Sequence, residues 1–279
     1  MKDLLLHVPT YPDPSPPEVI DQAVRFAAGL GARLTVLAVQ ADLRASSNYL
    51  ASRLVSLGGL IAEQEAKSLA ACRLAERNLE ERLAAHGVAG EAVTLTADPF
   101  FAGDHIAIQA RTRDLCLVPL SSEPGGRSVA EAVVFGSGRP VIVFQPGVSD
   151  LPANDLRSVT VAWDGGRAAS VALGHAIPLL ARAAEVRVLT VLNDKAETRA
   201  GQVAEVVRHL RVHGIAAVVE EIDADGRKAG RAIAEHLAVS RPDLLVMGAY
   251  GRTRMRDFIL GGVTEEMLKA PAVPIFMAH

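Results

Sequence analysis

The chain of 279 residues repeats itself, and that repetition restricts its fold more than any other feature. Leu83-Ala-Ala-His86-Gly87-Val88 returns as Leu210-Arg-Val-His213-Gly214-Ile215. Arg111-Thr-Arg-Asp114-Leu-Cys-Leu-Val118 returns as Val239-Ser-Arg-Pro-Asp243-Leu-Leu-Val246, and Gly31-Ala-Arg-Leu-Thr-Val-Leu37 is similar to Ala184-Glu-Val-Arg-Val-Leu-Thr190. The phrases keep one order in both halves, so the chain reads as two copies of one domain. The seam falls in Gln145–Leu156, whose Pro and Asp content has linker character. It divides the chain into domains at 1–148 and 156–279.

Each copy alternates short apolar runs with helical periodicity. In the second, Ser158–Trp163, Val186–Leu192, Ala216–Ile222, Leu244–Met247 and Val273–Met277 read as strands. Ala169, Ala172, Ala176, Leu179 and Leu180 share one helical face. Glu197–His213 reads as a helix stopped by Gly214, Asp225 as the cap of a helix running to Val239, and Thr264–Ala270 closes another helix. The first copy has strands at Leu4–Val8, Leu34–Val39, Ala92–Thr96, Leu115–Leu120 and Val141–Phe144. There Asp98-Pro99 has helix-starting chemistry, and a long helix runs from about Leu60 to His86. Strands alternating with helices imply parallel pairing through right-handed crossovers, and strands apolar on both faces imply helices on both sides. The expected fold is α/β: two doubly wound five-stranded parallel-sheet domains, Rossmann-like, in tandem.

Hydrophobic residues make up 49% and aromatics only 4%, so the cores must be built from Ala, Val, Leu and Ile. With 29 basic against 32 acidic residues there is no excess of positive charge for nucleic acid. No stretch approaches the roughly 20 apolar residues of a membrane span, and no signal peptide is read, so a cytoplasmic protein is expected. Cys72 and Cys116 read as small core residues. Trp163 reads as core rather than as a stacking platform, and the pair Phe100-Phe101 as buried under the long helix, with an exposed contact patch as the alternative. His86 and His213 stand at repeated helix ends, where they suit the dipole. The remaining histidines read as scattered, and neither a metal site nor a catalytic residue is expected.

The fourth strand of the second copy runs into Gly248-Ala-Tyr-Gly251, then Arg252–Leu260, then Gly261-Gly262-Val263-Thr264, a G-x2-G-x9-G spacing. Glycines let backbone N–H groups approach an anion, and a helix starting near Gly261 presents free N–H groups and a positive dipole end. Arg252, Arg254 and Arg256 lie between, either as a solvated basic loop or against phosphate. This segment, followed by Pro274-Ile-Phe-Met277, resembles the C-terminal signature of the universal stress protein family. The resemblance implies a sheet order of 3-2-1-4-5 and an adenine nucleotide, ATP or AMP, with Mg2+ as an optional companion. It implies contacts from Asp164, Val191, Met247, Gly248, Gly251, Gly261, Gly262, Val263 and Thr264: Asp164 beside the nucleoside, Val191 through its backbone to adenine, the glycines and Thr264 around phosphate. The family's Ser or Thr after the third glycine is Gly262 here, which removes one hydroxyl donor.

In the first copy Gly126, Gly136 and Ser137 keep a G-x9-G-S pattern, Glu123 stands for the first glycine, and Pro9 stands where Asp164 stands in the second. No family-type nucleotide site is expected there. Three functions remain in view. One is a stress-response regulator that binds nucleotide in its second domain and hydrolyses it slowly at most. Another is a nucleotide-free scaffold with a vestigial site, recruiting protein partners. A third, an adenylating enzyme, would need a Ser and an Asp that Asp164-Gly-Gly-Arg-Ala-Ala-Ser170 lacks. Pairing of Val141–Phe144 with Val273–Met277 is expected to make an intramolecular pseudo-dimer, and further dimerisation stays open.

Overall fold

A computed structural model describes residues 1–43, 55–120, 124–152, 156–193, 200–249 and 262–279. The first repeat runs β1 (Asp3–Val8), α1 (Glu18–Leu30), β2 (Arg33–Ala41), α2 (Val55–His86), β3 (Gly90–Ala97), α3 (Ala102–Ala110), β4 (Leu115–Pro119), α4 (Pro124–Gly136) and β5 (Val141–Phe144). The second runs β6 (Ser158–Ala162), α5 (Arg167–Leu180), β7 (Glu185–Leu192), α6 (Ala200–Val212), β8 (Ala217–Asp223), α7 (Ala229–Ser240), β9 (Leu244–Gly248), α8 (Gly262–Lys269) and β10 (Ile275–Ala278). The fold is the expected tandem α/β arrangement.

Two compact units result, Met1–Arg139 and Pro140–His279. In the first, parallel strands lie in the order β3-β2-β1-β4. In the second the order is β8-β7-β6-β9-β10, which is 3-2-1-4-5 in repeat numbering. β5 packs in the second unit, antiparallel to β10, with Val143 opposite Ile275 and Val141 opposite Met277. The pairing expected between these two segments is therefore present. All four residues of β5 are fully buried, which protects a strand edge that would otherwise invite association.

The cores are aliphatic. Leu4, Leu6, Leu34, Val36, Leu115 and Leu117 in the first unit and Val159, Val188, Leu244 and Val246 in the second have no exposed surface. Ala169, Ala172, Ala176, Leu179 and Leu180 form the buried face of α5, as the periodicity requires. Cys72 and Cys116 are free and buried. Both repeated helix ends turn through a glycine at positive φ, +63° at Gly87 and +75° at Gly214. The closing bonds match: Val88 N–H donates to the Leu83 carbonyl, Ile215 N–H to that of Leu210.

The repeated aspartates share one structural task. The Asp114 carboxylate accepts the N–H groups of Lys2 and Asp3, and Asp243 accepts those of Arg157 (2.7 Å) and Ser158 (3.0 Å). Each pins the start of its repeat's first strand to the start of its fourth. The Lys2 N–H also holds the Asp114 carboxyl below the usual carboxylate range. Asp243→Ala strands two backbone donors and should destabilise the second unit by about 1–3 kcal/mol, measurable by denaturant titration.

Three local expectations are corrected. Asp98 does not cap a helix: its Oδ1 accepts the Phe100 N–H (2.8 Å) in a turn, and α3 starts at Ala102. Asp225 sits at φ +50° beside Arg227, and α7 is entered from Lys228. Phe100 and Phe101 are 85% and 51% exposed, packed edge-to-face on each other rather than under α2.

Candidate functional site

In an open parallel sheet, ligand sites form at the C-terminal strand ends where neighbouring strands send their connections opposite ways. In the second unit those strands are β6 and β9, paired with Ala162 level with Met247. The ladder of β6 and β7 continues past the strand, because Trp163 N–H donates to the Leu189 carbonyl (2.8 Å). Asp164 then stands level with Val191 by the same register. Asp164, Val191, Met247 and Gly248 are thus brought to one end of the sheet.

Asp164 is exposed, and its Oδ1 accepts the Gly166 N–H at 2.8 Å. That bond orders the turn before α5; no side chain caps α5 at its N-cap, Gly166. Val191 is half-buried and Met247 is buried. Gly248 has a packing reason to be glycine: a Cβ there would lie 2.3 Å from the Ala169 nitrogen and 2.5 Å from the Ala168 carbonyl carbon, both in the first turn of α5.

Gly262, Val263 and Thr264 form the first turn of α8, with Gly262 exposed and Thr264 buried. This turn lies against the start of α7, where a Cβ on Gly230 would meet the Gly262 carbonyl oxygen and Val263 Cα at 3.1 Å. Because α7 follows β8, both helix starts lie at the C-terminal strand ends. Gly251 and Gly261, with Tyr250 and the arginines at 252, 254 and 256, lie outside the described residues. Trp163 is half-buried, and its indole nitrogen is buried with no hydrogen-bond partner. His279 Nδ1 lies 2.9 Å from the Ala249 carbonyl oxygen, a contact without a sequence signal.

The equivalent corner of the first unit is filled. Pairing registers make Pro9 the counterpart of Asp164, and Val39 that of Val191. The Thr10 hydroxyl donates to the Val39 carbonyl and lies 2.7 Å from Ser68 Oγ on α2, which in turn accepts the Ala41 N–H (2.9 Å). Thr10 and Ser68 are both buried. The connection also differs in length: four residues separate β4 from α4, whereas thirteen separate β9 from α8. The G-x9-G-S resemblance in the first repeat does not survive, because Gly126 and Gly136 lie within α4 itself. The residue matching Gly248 is Pro119, not Glu123.

The second unit is therefore of the doubly wound α/β class, with its strand crossover and two helix starts gathered at one sheet end. The model of the universal stress protein family matches residues 156–279, so the second repeat is a domain of that family. The chain's fold is also that of solved structures. A universal stress protein from Archaeoglobus fulgidus DSM 4304 aligns over 98% of this chain and 95% of its own, with TM-score 0.69 and 17% identity. A putative universal stress protein from Pseudomonas aeruginosa UCBPP-PA14 aligns over 99% and 93%, with TM-score 0.58 and 14% identity. A functionally unknown protein from Pseudomonas aeruginosa PAO1 aligns over 98% and 92%, with TM-score 0.57 and 14% identity. No curated protein matches the chain in sequence. Among the described residues no helix is long and apolar enough to cross a membrane.

Proposed function

We propose that the second unit binds an adenine nucleotide, ATP or AMP, at the C-terminal ends of β6 and β9, and that the chain acts as a cytoplasmic stress-response regulator reading that nucleotide. The observation that carries this reading is the asymmetry between the repeats. One corner of the fold is closed in the first unit by Thr10 and Ser68. In the second, the same corner has an exposed aspartate, a half-buried Val191 and a longer connection leading to a helix start. The family domain over 156–279 adds the glycine spacing to that support.

In this reading Asp164 accepts from the ribose, the Val191 backbone meets the adenine edge, and Met247 and Gly248 lie beneath the nucleoside. Gly251 and Gly261 belong to the phosphate loop by their place in the motif, and the first N–H groups of α8, at Gly262, Val263 and Thr264, face phosphate. Any Mg2+ enters with the phosphates, since Asp164 is the one nominated carboxylate. The first unit serves as a structural or regulatory partner.

Calorimetric titration with ATP·Mg2+ tests this. Asp164→Ala should weaken binding at least about tenfold, through loss of a charge-assisted hydrogen bond. Gly262→Ser should strengthen it about fivefold or more, because a Cβ at 262 meets nothing within 4 Å and the new hydroxyl can donate to phosphate. Absence of heat and of thermal shift up to millimolar ATP sinks the proposal. The glycine at 262 would then mark a site that no longer binds, and the exposed Phe100-Phe101 pair would favour a protein-recruiting scaffold.

A further inference from the structure

We propose that His209 and His213 form a chelating site for one borderline transition-metal ion, Cu2+, Zn2+ or Ni2+, at the C-terminal end of α6. His209, which the sequence left among the scattered histidines, stands beside His213, the helix-end residue. They stand four residues apart, His209 in the last turn of α6 and His213 in the turn that directly follows it. Both side chains are exposed, with ring centroids 4.8 Å apart and ring planes at 72°.

That spacing suits a shared ion. A nitrogen about 2.0–2.1 Å from the metal places its ring centroid about 3.2 Å away, so two rings subtending about 90–110° at the ion have centroids about 4.5–5.2 Å apart. Imidazole nitrogens are the ligands such ions prefer. The carbonyl end of the helix adds a favourable potential for a cation.

The repeat provides an internal comparison. His86 in the first copy matches His213, which explains one histidine as a shared helix-end residue. The position matching His209 is Arg82, which pairs with Asp21 on α1 at 3.5 Å. His209 is thus the residue that turns a common helix end into a two-ligand set. Glu205, one turn earlier, is held by Arg208 (Nε to Oε2 3.0 Å) and is not a third ligand. Among the described residues no group of three or more metal-ligating side chains forms, so water completes the coordination. The site lies at the opposite end of the sheet from the β6–β9 corner, since α6 leads into the start of β8. It does not depend on nucleotide binding.

The test is titration of the full chain, without any affinity tag, with Cu2+ followed by visible absorption and electron paramagnetic resonance, and with Zn2+ by calorimetry. One ion per chain should bind in the micromolar range, with nitrogen coupling in the copper spectrum. His209→Arg, which installs the first repeat's residue at an exposed position, should weaken binding at least about tenfold. His86→Asn should leave it unchanged. Zn2+ should raise the unfolding temperature of the natural chain and not that of His209→Arg, because an ion held only by the folded helix stabilises it. Equal affinity in the natural chain and His209→Arg, or no saturable binding below millimolar metal, overturns the proposal.

Discussion

Gly248→Ala should destabilise the second unit by about 3 kcal/mol or more, a large fraction of what holds a domain of this size together. The added methyl would sit 2.3 Å from the Ala169 nitrogen and 2.5 Å from the Ala168 carbonyl carbon. Both are backbone atoms of the first turn of α5, so no side-chain rotation relieves the clash. Helix α5 must lift from β9 or the strand must bend. Lifting would uncover Ala168, Ala169 and Ala172, all buried. The check is chemical denaturation of the natural chain and the variant, followed by the fluorescence of Trp163 in the same unit. An unchanged midpoint would show that α5 does not pack against β9 as described. The expectation has a functional corollary: loss of nucleotide binding in any Gly248 variant reports damaged packing and does not identify a phosphate contact.

The second large effect is a dependence of stability on acid. His7, in β1, is 4% exposed, and burial pushes its imidazole down to about 4, against an opposing hydrogen bond to the backbone of Leu37. Its Nδ1 is buried without a partner. The unfolded chain, with an ordinary histidine near 6.5, takes up a proton before the folded chain does. The stabilising difference is therefore complete above about pH 6.5 and is lost as pH falls toward 4. Between pH 7.5 and pH 5 this amounts to about 2 kcal/mol. His7→Leu removes the titrating group, so the variant should lose less stability over that interval by this amount. Denaturation of both proteins at the two pH values decides it: parallel losses would mean that His7 is not buried in the folded chain.

Much of the architecture was legible in the residues, and what was not has identifiable causes. Runs such as Leu115–Leu120 and Val186–Leu192 are apolar, rich in branched side chains and bounded by polar residues, so strand type and position are overdetermined. Helix starts were harder, because aspartate makes the same kind of side-chain bond in a turn as in a cap. Asp98 and Asp225 both spend their local geometry on turns, and α3 and α7 begin three or more residues later. Phe100 and Phe101 carry no periodic signal, and their hydrophobicity alone suggested a core that the chain does not provide. The G-x9-G-S match in the first repeat came from composition without register. Once β4 is aligned on β9, its glycines belong to α4. Of the candidate site, the strand-end residues followed from the family resemblance and the strand order it implied. The plug formed by Thr10 and Ser68 joins residues 58 positions apart, and no local pattern announces it.

The position of β5 separates two histories within one molecule. Its residues are written in the first copy of the repeat, yet they complete the second unit by running antiparallel to β10. The seam left by duplication therefore does not coincide with the seam between the two compact units. A polypeptide beginning at residue 156 would carry every element of the second repeat and still present β10 as a bare edge of apolar residues, with Ile275, Phe276 and Met277 unmatched. Such a fragment should acquire a replacement strand from a neighbour, whereas one beginning at Pro140 brings its own. Inheritance has made the second repeat a borrower, and the compact unit that contains it is longer than the sequence motif that defines it.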